Sequence, residues 1–324
     1  PPSDMQMDYV LILQKGNESS MATRERRIAS WRAVCHFLGL ALMTLLCSGL
    51  ALARDSASVG GLSPGGSLAP WMEFLIDPDG SMTLETVRQR PAFDDAGGGV
   101  ATADDAAAPV WRRVEGDNII GGYTDDVYWV RFSVRNATER DASWILEVNY
   151  ALLDHIDLYV PDAFNQYLKI SSGDRLPFHQ RPLKYRHFAA PLKTGSYAEQ
   201  TYYLRVQTES SMFIDLRLWP RNTFAEAMDG QILLFGLLYG VVCLAGVYCL
   251  INGFFMRELM YSFIAIAIFC SAGYSLSLNG FGFQYLWPEH TWVQNVSVPV
   301  FVNLSYGFAL LYSREFLELK RYSR

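Results

Sequence analysis

Apolar and polar residues alternate along a series of short segments between residues 71 and 220. In the segment DVYWVRFSVRN every second side chain is apolar, on the face that carries Tyr128, Val130, Phe132 and Val134. Similar segments are WMEFLID, SWILEVNY, HIDLYVP, QYLKISSG, QTYYLRVQT and MFIDLRLWP. A period of two residues is typical of strands with one buried face, and turn residues separate these segments. The pattern therefore predicts an all-β sandwich of the jelly-roll type over residues 70–222.

Three long apolar segments follow within residues 223–324, and a short polar tail ends the chain. They cover about residues 232–256, 259–283 and 293–312, and none of them contains a charged residue. Roughly 20 apolar residues in a helix cross the hydrocarbon core of a bilayer. The sequence therefore predicts three transmembrane helices in contact with membrane lipid, and the lack of buried charge disfavours an ion transporter.

The first 53 residues have the pattern of a leader with a signal peptide. Met21 precedes a basic segment with Arg24, an apolar run over residues 34–50, and Ala51-Leu52-Ala53 as a cleavage site. This order is typical of secretory signals, with an uncleaved anchor helix as the alternative. Residues 54–69 are rich in Gly, Ser and Ala and are predicted to be a linker. The sandwich is therefore predicted to be exported.

Positive charges give the same orientation independently. If the sandwich lies outside, Arg257 and the basic tail from Arg314 to Arg324 lie in the cytoplasm. The loop around Glu289, between the second and third spans, contains no Lys or Arg and lies outside. This distribution follows the positive-inside rule.

Composition narrows the classes of function. The net charge is −6, so no basic surface for nucleic acid is expected. The five cysteines all lie in apolar segments, which excludes disulfides or cysteine-ligated zinc within the predicted sandwich. Nucleophile and zinc-hydrolase motifs such as G-x-S-x-G and H-E-x-x-H are absent, and no cofactor, metal ligand or catalytic residue is predicted.

The polar faces of the predicted strands suggest a ligand site. They carry an aromatic, amide and charged set that we predict to bind a small polar ligand such as a carbohydrate: Trp129, Arg131, Glu147, Asn149, Asp157, Tyr159 and Arg205. Aromatic rings stack on flat apolar surfaces, and the polar groups bond to hydroxyls or a carboxylate. The alternative is that the charged residues pair across strands on a solvated sheet. A catalytic pair of Glu147 with Asp157 acting on glycosides is a weaker alternative.

Several segments together resemble one bacterial family. They are GYTDDVYWVRFSVRN and YYLRVQT in the sandwich, FGLLYGVVCLAGVYCLINGFFMRELMY at the membrane entry, then GFGFQYLWP and REFLELKRY. Over residues 70–324 the chain resembles the seven-transmembrane receptors with diverse intracellular signalling modules, 7TMR-DISM. The resemblance implies a periplasmic jelly roll related to carbohydrate-binding modules, a helical domain in the bacterial inner membrane, and a cytoplasmic output such as a diguanylate cyclase or histidine kinase. Trp129 and Arg131 match the family's W-x-R strand, and Arg205 matches its L-R-V strand.

The resemblance predicts a membrane-bound signal-transduction receptor whose partners are a small ligand and either a second copy or a cytoplasmic signalling domain. The chain departs from the family in having three predicted spans instead of seven and no output domain. We therefore expect a fragment or a truncated gene product. The alternatives are a non-signalling membrane protein or an assembly subunit, and no enzyme is expected in this chain.

Overall fold

The computed structural model describes residues 64–91, 110–162, 164 and 166–317. The predicted leader, the signal peptide and most of the predicted linker lie outside these residues and stay predictions. The described part confirms an antiparallel β sandwich followed by a helical membrane region.

The sandwich is built from short strands that the alternating pattern anticipates. They are β1 (Gly66–Ser67), β2 (Met72–Asp77), β3 (Arg112–Arg113), β4 (Ile119–Tyr123), β5 (Val127–Arg135), β6 (Ala142–Val148), β7 (His155–Pro161), β8 (Tyr167–Ser172), β9 (Phe188–Thr194), β10 (Glu199–Gln207), β11 (Ser211–Ile214) and β12 (Leu216–Pro220). Within the described residues, the larger sheet has the order β3-β2-β5-β10-β7-β8 and the smaller one β1-β12-β6-β9. A separate pair joins β4 to β11.

The main core lies between the two sheets and consists of the apolar faces predicted from the sequence. Phe132 on β5 and Tyr202 on β10 are cross-strand partners whose rings stack with centroids 5.4 Å apart. Leu146 and Val148 of β6 reach the same core from the smaller sheet. Full burial of each such side chain contributes about 1.5–3 kcal/mol, so this core supplies most of the driving force for the sandwich.

A second apolar layer covers part of the outer face of the larger sheet. The short helix α1 (Leu84–Arg88) begins at Thr83, whose hydroxyl accepts from the Thr86 amide, and it buries Val87 against the sheet. Trp111 lies beside it and donates its indole hydrogen to the Val87 carbonyl over 3.1 Å. Part of the outer face of this sheet is therefore shielded from solvent.

Three long apolar helices within the described residues form the membrane region. They are α2 (Arg221–Met256), α3 (Leu259–Leu278) and α4 (Thr291–Phe316), and α3 packs against both of the others. Helix α2 starts directly after β12: Pro220 is the last residue of the strand, and Arg221 is the first residue of the helix. No flexible linker therefore separates the sandwich from the membrane helices.

The second helix ends earlier than the predicted span. Helix α3 ends at Leu278, where the apolar run predicted a helix to residue 283, and a π-helical turn (Gly282–Leu286) follows. Gly280 has φ of +77°, and a Cβ there would lie 2.5 Å from the carbonyl oxygen of Arg186. The prediction used only the apolar composition of this segment. In the structure a loop of the sandwich lies close to Gly280, and the chain there turns away from the helix axis.

Candidate functional site

The seven predicted ligand-binding residues do not share one face. Those on the outer face of the larger sheet are Trp129, Arg131, Asp157, Tyr159 and Arg205. Glu147 belongs to β6 of the smaller sheet, and Asn149 directly follows that strand. The expectation of a single mixed face is therefore wrong, because a period of two assigns faces within a strand but does not say which sheet the strand joins.

The sequence suggested that Trp129 is an exposed surface on which a ligand could stack. The structure does not place it so. Its side chain is fully buried in the second apolar layer and stacks on Tyr159, with ring centroids 5.6 Å apart. Val87 and Trp111 belong to the same layer and cover this part of the sheet. Helix α1 has only five residues, too few to give a helical period in the sequence.

The charged residues at the centre of this face pair across strands. Asp157 lies 2.9 Å from Lys169 Nζ and accepts a hydrogen bond of 2.6 Å from Ser171. Arg205, its cross-strand neighbour, approaches the same carboxylate to 3.9 Å. These contacts fit the cross-strand alternative. The Lys169 side chain is half-exposed, and a pair with such a partner contributes about 0–1 kcal/mol.

A groove of about 590 Å³ opens at one corner of the sandwich, where the chain passes from β1 to β2. Strand β2 begins at Met72, which lies opposite Phe132 of β5. Residues 133–135 of β5 therefore have no partner in β2, and this leaves a notch at the edge of the sheet. The groove is lined by two tryptophans, four charged residues and three hydroxyl-bearing residues: Trp71, Trp144, Glu73, Arg131, Arg135, Glu199, Ser133, Thr201 and Tyr203. Arg131 is thus the one predicted site residue that lines it.

The groove has the chemistry of a site for a small polar ligand. Trp71 exposes 48% of its surface, and the buried indole nitrogen of Trp144 has no hydrogen-bond partner among the described residues. Arg131 donates its Nε hydrogen to Glu73 and places its guanidinium 4.5 Å above the Trp111 ring. Held on both sides, this arginine presents a fixed polar surface to the groove. Sequence reasoning missed Trp71 and Trp144. Trp144 shares the face of the core residues Leu146 and Val148 and was therefore interpreted as core, and Trp71 lies in a single helical turn.

A second polar cluster lies where the sandwich meets the membrane helices, and we call it the junction cluster. At its centre the buried carboxylate of Glu147 accepts hydrogen bonds from described side chains of Tyr185, His187 and Trp219, over 3.0, 2.9 and 2.8 Å. Trp219 lies two residues before helix α2 begins. The cluster therefore ties a sandwich strand to the residues that lead into the membrane.

Burial and these hydrogen bonds determine the protonation states of Glu147 and His187 in the junction cluster. Burial alone would raise the pKa of Glu147, but hydrogen bonds from His187, Trp219 and Tyr185 hold it below its ordinary value. Burial lowers the pKa of His187 to about 4, against the opposing effect of Glu147. The imidazole is therefore neutral near pH 7, donates from Nδ1 to Glu147, and accepts at Nε2 from Arg186 over 3.0 Å.

Arg186 carries the chain of hydrogen bonds onward into the membrane helices. It donates to the side-chain oxygen of Gln231 on α2 over 2.7 Å and to the carbonyl of Asn279 after α3 over 3.2 Å. Its guanidinium lies 5.3 and 5.2 Å from the rings of Phe235 and Phe281. A buried arginine enclosed by aromatic rings is held rigidly, so Arg186 connects β6 to two membrane helices through His187.

The loop of residues 174–187 also contacts the turn between α3 and α4. The amide of Phe178 donates to the Pro288 carbonyl over 2.9 Å, and Gln284 donates to the Lys184 carbonyl over 3.4 Å. His179 Nδ1 lies 3.1 Å from the Glu289 carboxylate. Through these contacts the loop joins the sandwich to the turn between α3 and α4.

The loop begins at a buried pair of carboxyl groups. Burial, followed by the negative charge of Asp154, raises the pKa of Asp174 to about 7. Asp154 itself accepts from Arg175 over 2.8 Å and from the Glu209 amide over 2.6 Å, and its pKa stays low. Burial lowers the pKa of Arg181, the nearby cation, to about 10. Asp174 therefore exchanges its proton near neutral pH, next to the loop that reaches the membrane helices.

Comparison with known families gives two matches that together cover most of the chain. Residues 69–220 match the family described as 7TMR-DISM extracellular 2. Residues 231–324 match the family described as 7TM diverse intracellular signalling. A comparison with curated proteins found no match. The first match covers most of the sandwich, and the second covers α3, α4 and most of α2.

Proposed function

The chain belongs to the 7TMR-DISM family of membrane receptors with an extracellular sensor domain, and we propose that this receptor detects a small carbohydrate in the groove at the corner of its sandwich. The observation that carries the proposal is the groove itself. It combines one exposed and one half-buried tryptophan with an arginine fixed by Glu73 and Trp111. Carbohydrates present both hydroxyls and an apolar ring face, so this combination suits them.

We propose that the junction cluster transmits occupancy of the groove to the membrane. Trp144 lines the groove on β6, and Glu147 lies three residues further along the same strand at the centre of the cluster. A shift of β6 would therefore move His187 and Arg186, and these residues would in turn move α2 and α3. A ligand acts in this way only if it binds one of two arrangements more tightly than the other.

The proposed orientation places the sandwich in the periplasm and the C-terminus in the cytoplasm of a bacterial inner membrane. The basic residues Arg257 and Arg314 lie at the membrane ends away from the sandwich, which supports this orientation. The partner on the cytoplasmic side is proposed to be a signalling domain.

A glycoside-cleaving function fits the structure poorly. The proposed catalytic pair would need Glu147 and Asp157 on one face, yet they belong to different sheets. Glu147 is fully buried and bonded to described donors on both of its oxygens. Neither carboxylate lines the groove.

The substitution Trp71→Ala tests the proposed ligand site. We expect at least one of glucose, galactose, xylose, N-acetylglucosamine and galacturonate to raise the unfolding temperature of the full chain in nanodiscs. Trp71→Ala is expected to weaken that sugar's binding about tenfold, because a stacked ring contributes about 1 kcal/mol beyond its buried area. The matched control is Tyr123→Ala, which removes another exposed aromatic side chain outside the groove.

Each outcome of this experiment decides one part of the proposal. Equal stabilisation of Trp71→Ala and the unsubstituted protein would place the site elsewhere on the molecule. A panel in which no sugar stabilises the protein would exclude these carbohydrates as the ligand class.

A further inference from the structure

A second groove, of about 340 Å³, lies at the membrane end of the sandwich, and we call it the junction groove. It is bounded by the outer face of the smaller sheet, the loop before β9, the first turns of α2 and the turn after α3. Its lining combines the basic residues Lys184, Arg186 and Arg221 with the apolar residues Ile145, Phe224 and Met228. The groove is thus separate from the proposed ligand site.

The junction groove lies at the level of the lipid headgroups. Helix α2 carries charged residues up to Asp229 and none from Ile232 to Met256. At about 1.5 Å per residue, Arg221 lies about 16 Å above Ile232 along the helix. The hydrocarbon core therefore begins near Ile232, and the groove extends outward from that boundary through the headgroup region.

Positive charge predominates around the junction groove. Its described lining contains Lys184, Arg186 and Arg221 as cations and Asp229 as the acidic residue. In the part of the chain that the structure describes, none of these cations lies within ion-pair distance of a carboxylate. Lys184 and Arg221 are exposed, so they are accessible to an anion that approaches from the rim.

The floor of the junction groove is apolar. Ile145 and Met228 are buried there, and Phe224 packs edge-on against Tyr185 at 5.3 Å and Trp219 at 6.0 Å. A soluble anion would leave this floor in contact with water, whereas an acyl chain entering beside Ile232 would cover it. The groove therefore matches an amphiphile with an anionic head and an apolar tail.

We propose that the junction groove binds an anionic glycerophospholipid of the outer leaflet, with its phosphate at Lys184 and Arg221. Tyr185 lines the groove and donates to Glu147, so the lipid would contact one of the residues that hold the junction cluster. The lipid would thereby stabilise the packing of the sandwich on α2. This inference does not depend on which ligand the first groove binds.

Native mass spectrometry of the full chain, with phosphatidylglycerol or phosphatidylcholine as the probe, tests the proposal. We expect the protein to retain phosphatidylglycerol about tenfold more strongly than phosphatidylcholine, in keeping with two basic residues near an anionic headgroup. The double substitution Lys184→Gln and Arg221→Gln is expected to abolish this preference. The control pair, Arg140→Gln and Lys193→Gln, removes the same charge from exposed sites on the sandwich and is expected to retain it.

Four results would overturn the proposal. Equal retention of the two lipids would show that the groove does not select an anionic headgroup. A preference that survives the double substitution, or that the control pair also removes, would place the lipid elsewhere. Displacement of phosphatidylglycerol by millimolar inorganic phosphate would show a site for a free anion instead of a lipid.

Discussion

The substitution Glu147→Ala is expected to destabilise the sandwich by about 3–5 kcal/mol. It removes the acceptor shared by Tyr185, His187 and Trp219, all of which are then left without their partner in a buried site. Each of these three unmet donors costs free energy that the folded state must bear.

Chemical unfolding of the full chain in detergent, followed by intrinsic fluorescence, measures this effect. The matched control is Glu139→Ala, which removes an exposed carboxylate from a turn and is expected to change stability by less than about 0.5 kcal/mol. A loss of less than about 1 kcal/mol for Glu147→Ala would show that the cluster is not an important source of stability.

The substitution Asp174→Asn is expected to stabilise the protein at pH 8 by about 2–4 kcal/mol. The folded protein raises the pKa of this carboxyl to about 7 from 3.8. A group with a raised pKa contributes stability that is fully present below pH 3.8 and is lost as pH rises through about 7. Asparagine cannot ionise, so the loss at pH 8 disappears.

The predicted pH dependence separates this effect from a general change in packing. The gain from Asp174→Asn should be largest at pH 8, smaller at pH 6 and close to zero near pH 4. Thermal unfolding at these pH values measures it, with the exposed Asp79→Asn as the control substitution. Parallel pH profiles for Asp174→Asn and the unsubstituted protein would contradict the assignment of a buried, proton-holding Asp174.

The strands and helices could be predicted because their periods depend on local burial. Alternation along β5 and β10 identified the core-facing side chains, including Phe132 and Tyr202. The uncharged runs identified the three helices of the described membrane region, since a bilayer selects for length and hydropathy. The early end of α3 was missed, because it depends on contact between Gly280 and a loop about 94 residues earlier in the chain.

The sites could be predicted only in part, because they depend on which strands become neighbours. Arg131 was identified and lines the groove, while Trp71 and Trp144 come together there only through the crossing from β1 to β2. Glu147 was predicted to contact a ligand, but its hydrogen-bond partners come from the loop before β9 and from β12. Alternation predicts that a carboxylate lies on an outer face, and it cannot predict that a membrane helix covers that face.

The most direct test of the account is hydrogen–deuterium exchange of the full chain in nanodiscs, comparing Glu147→Gln with the unsubstituted protein. Glu147 has no described hydrogen bond to residues 279–290. It is linked to them by the successive hydrogen bonds of His187 and Arg186. If the junction cluster transmits changes in the sandwich to the membrane, amide exchange should increase both around Glu147 and in residues 279–290. An increase confined to the sandwich, with unchanged exchange in residues 279–290, would contradict the proposed coupling.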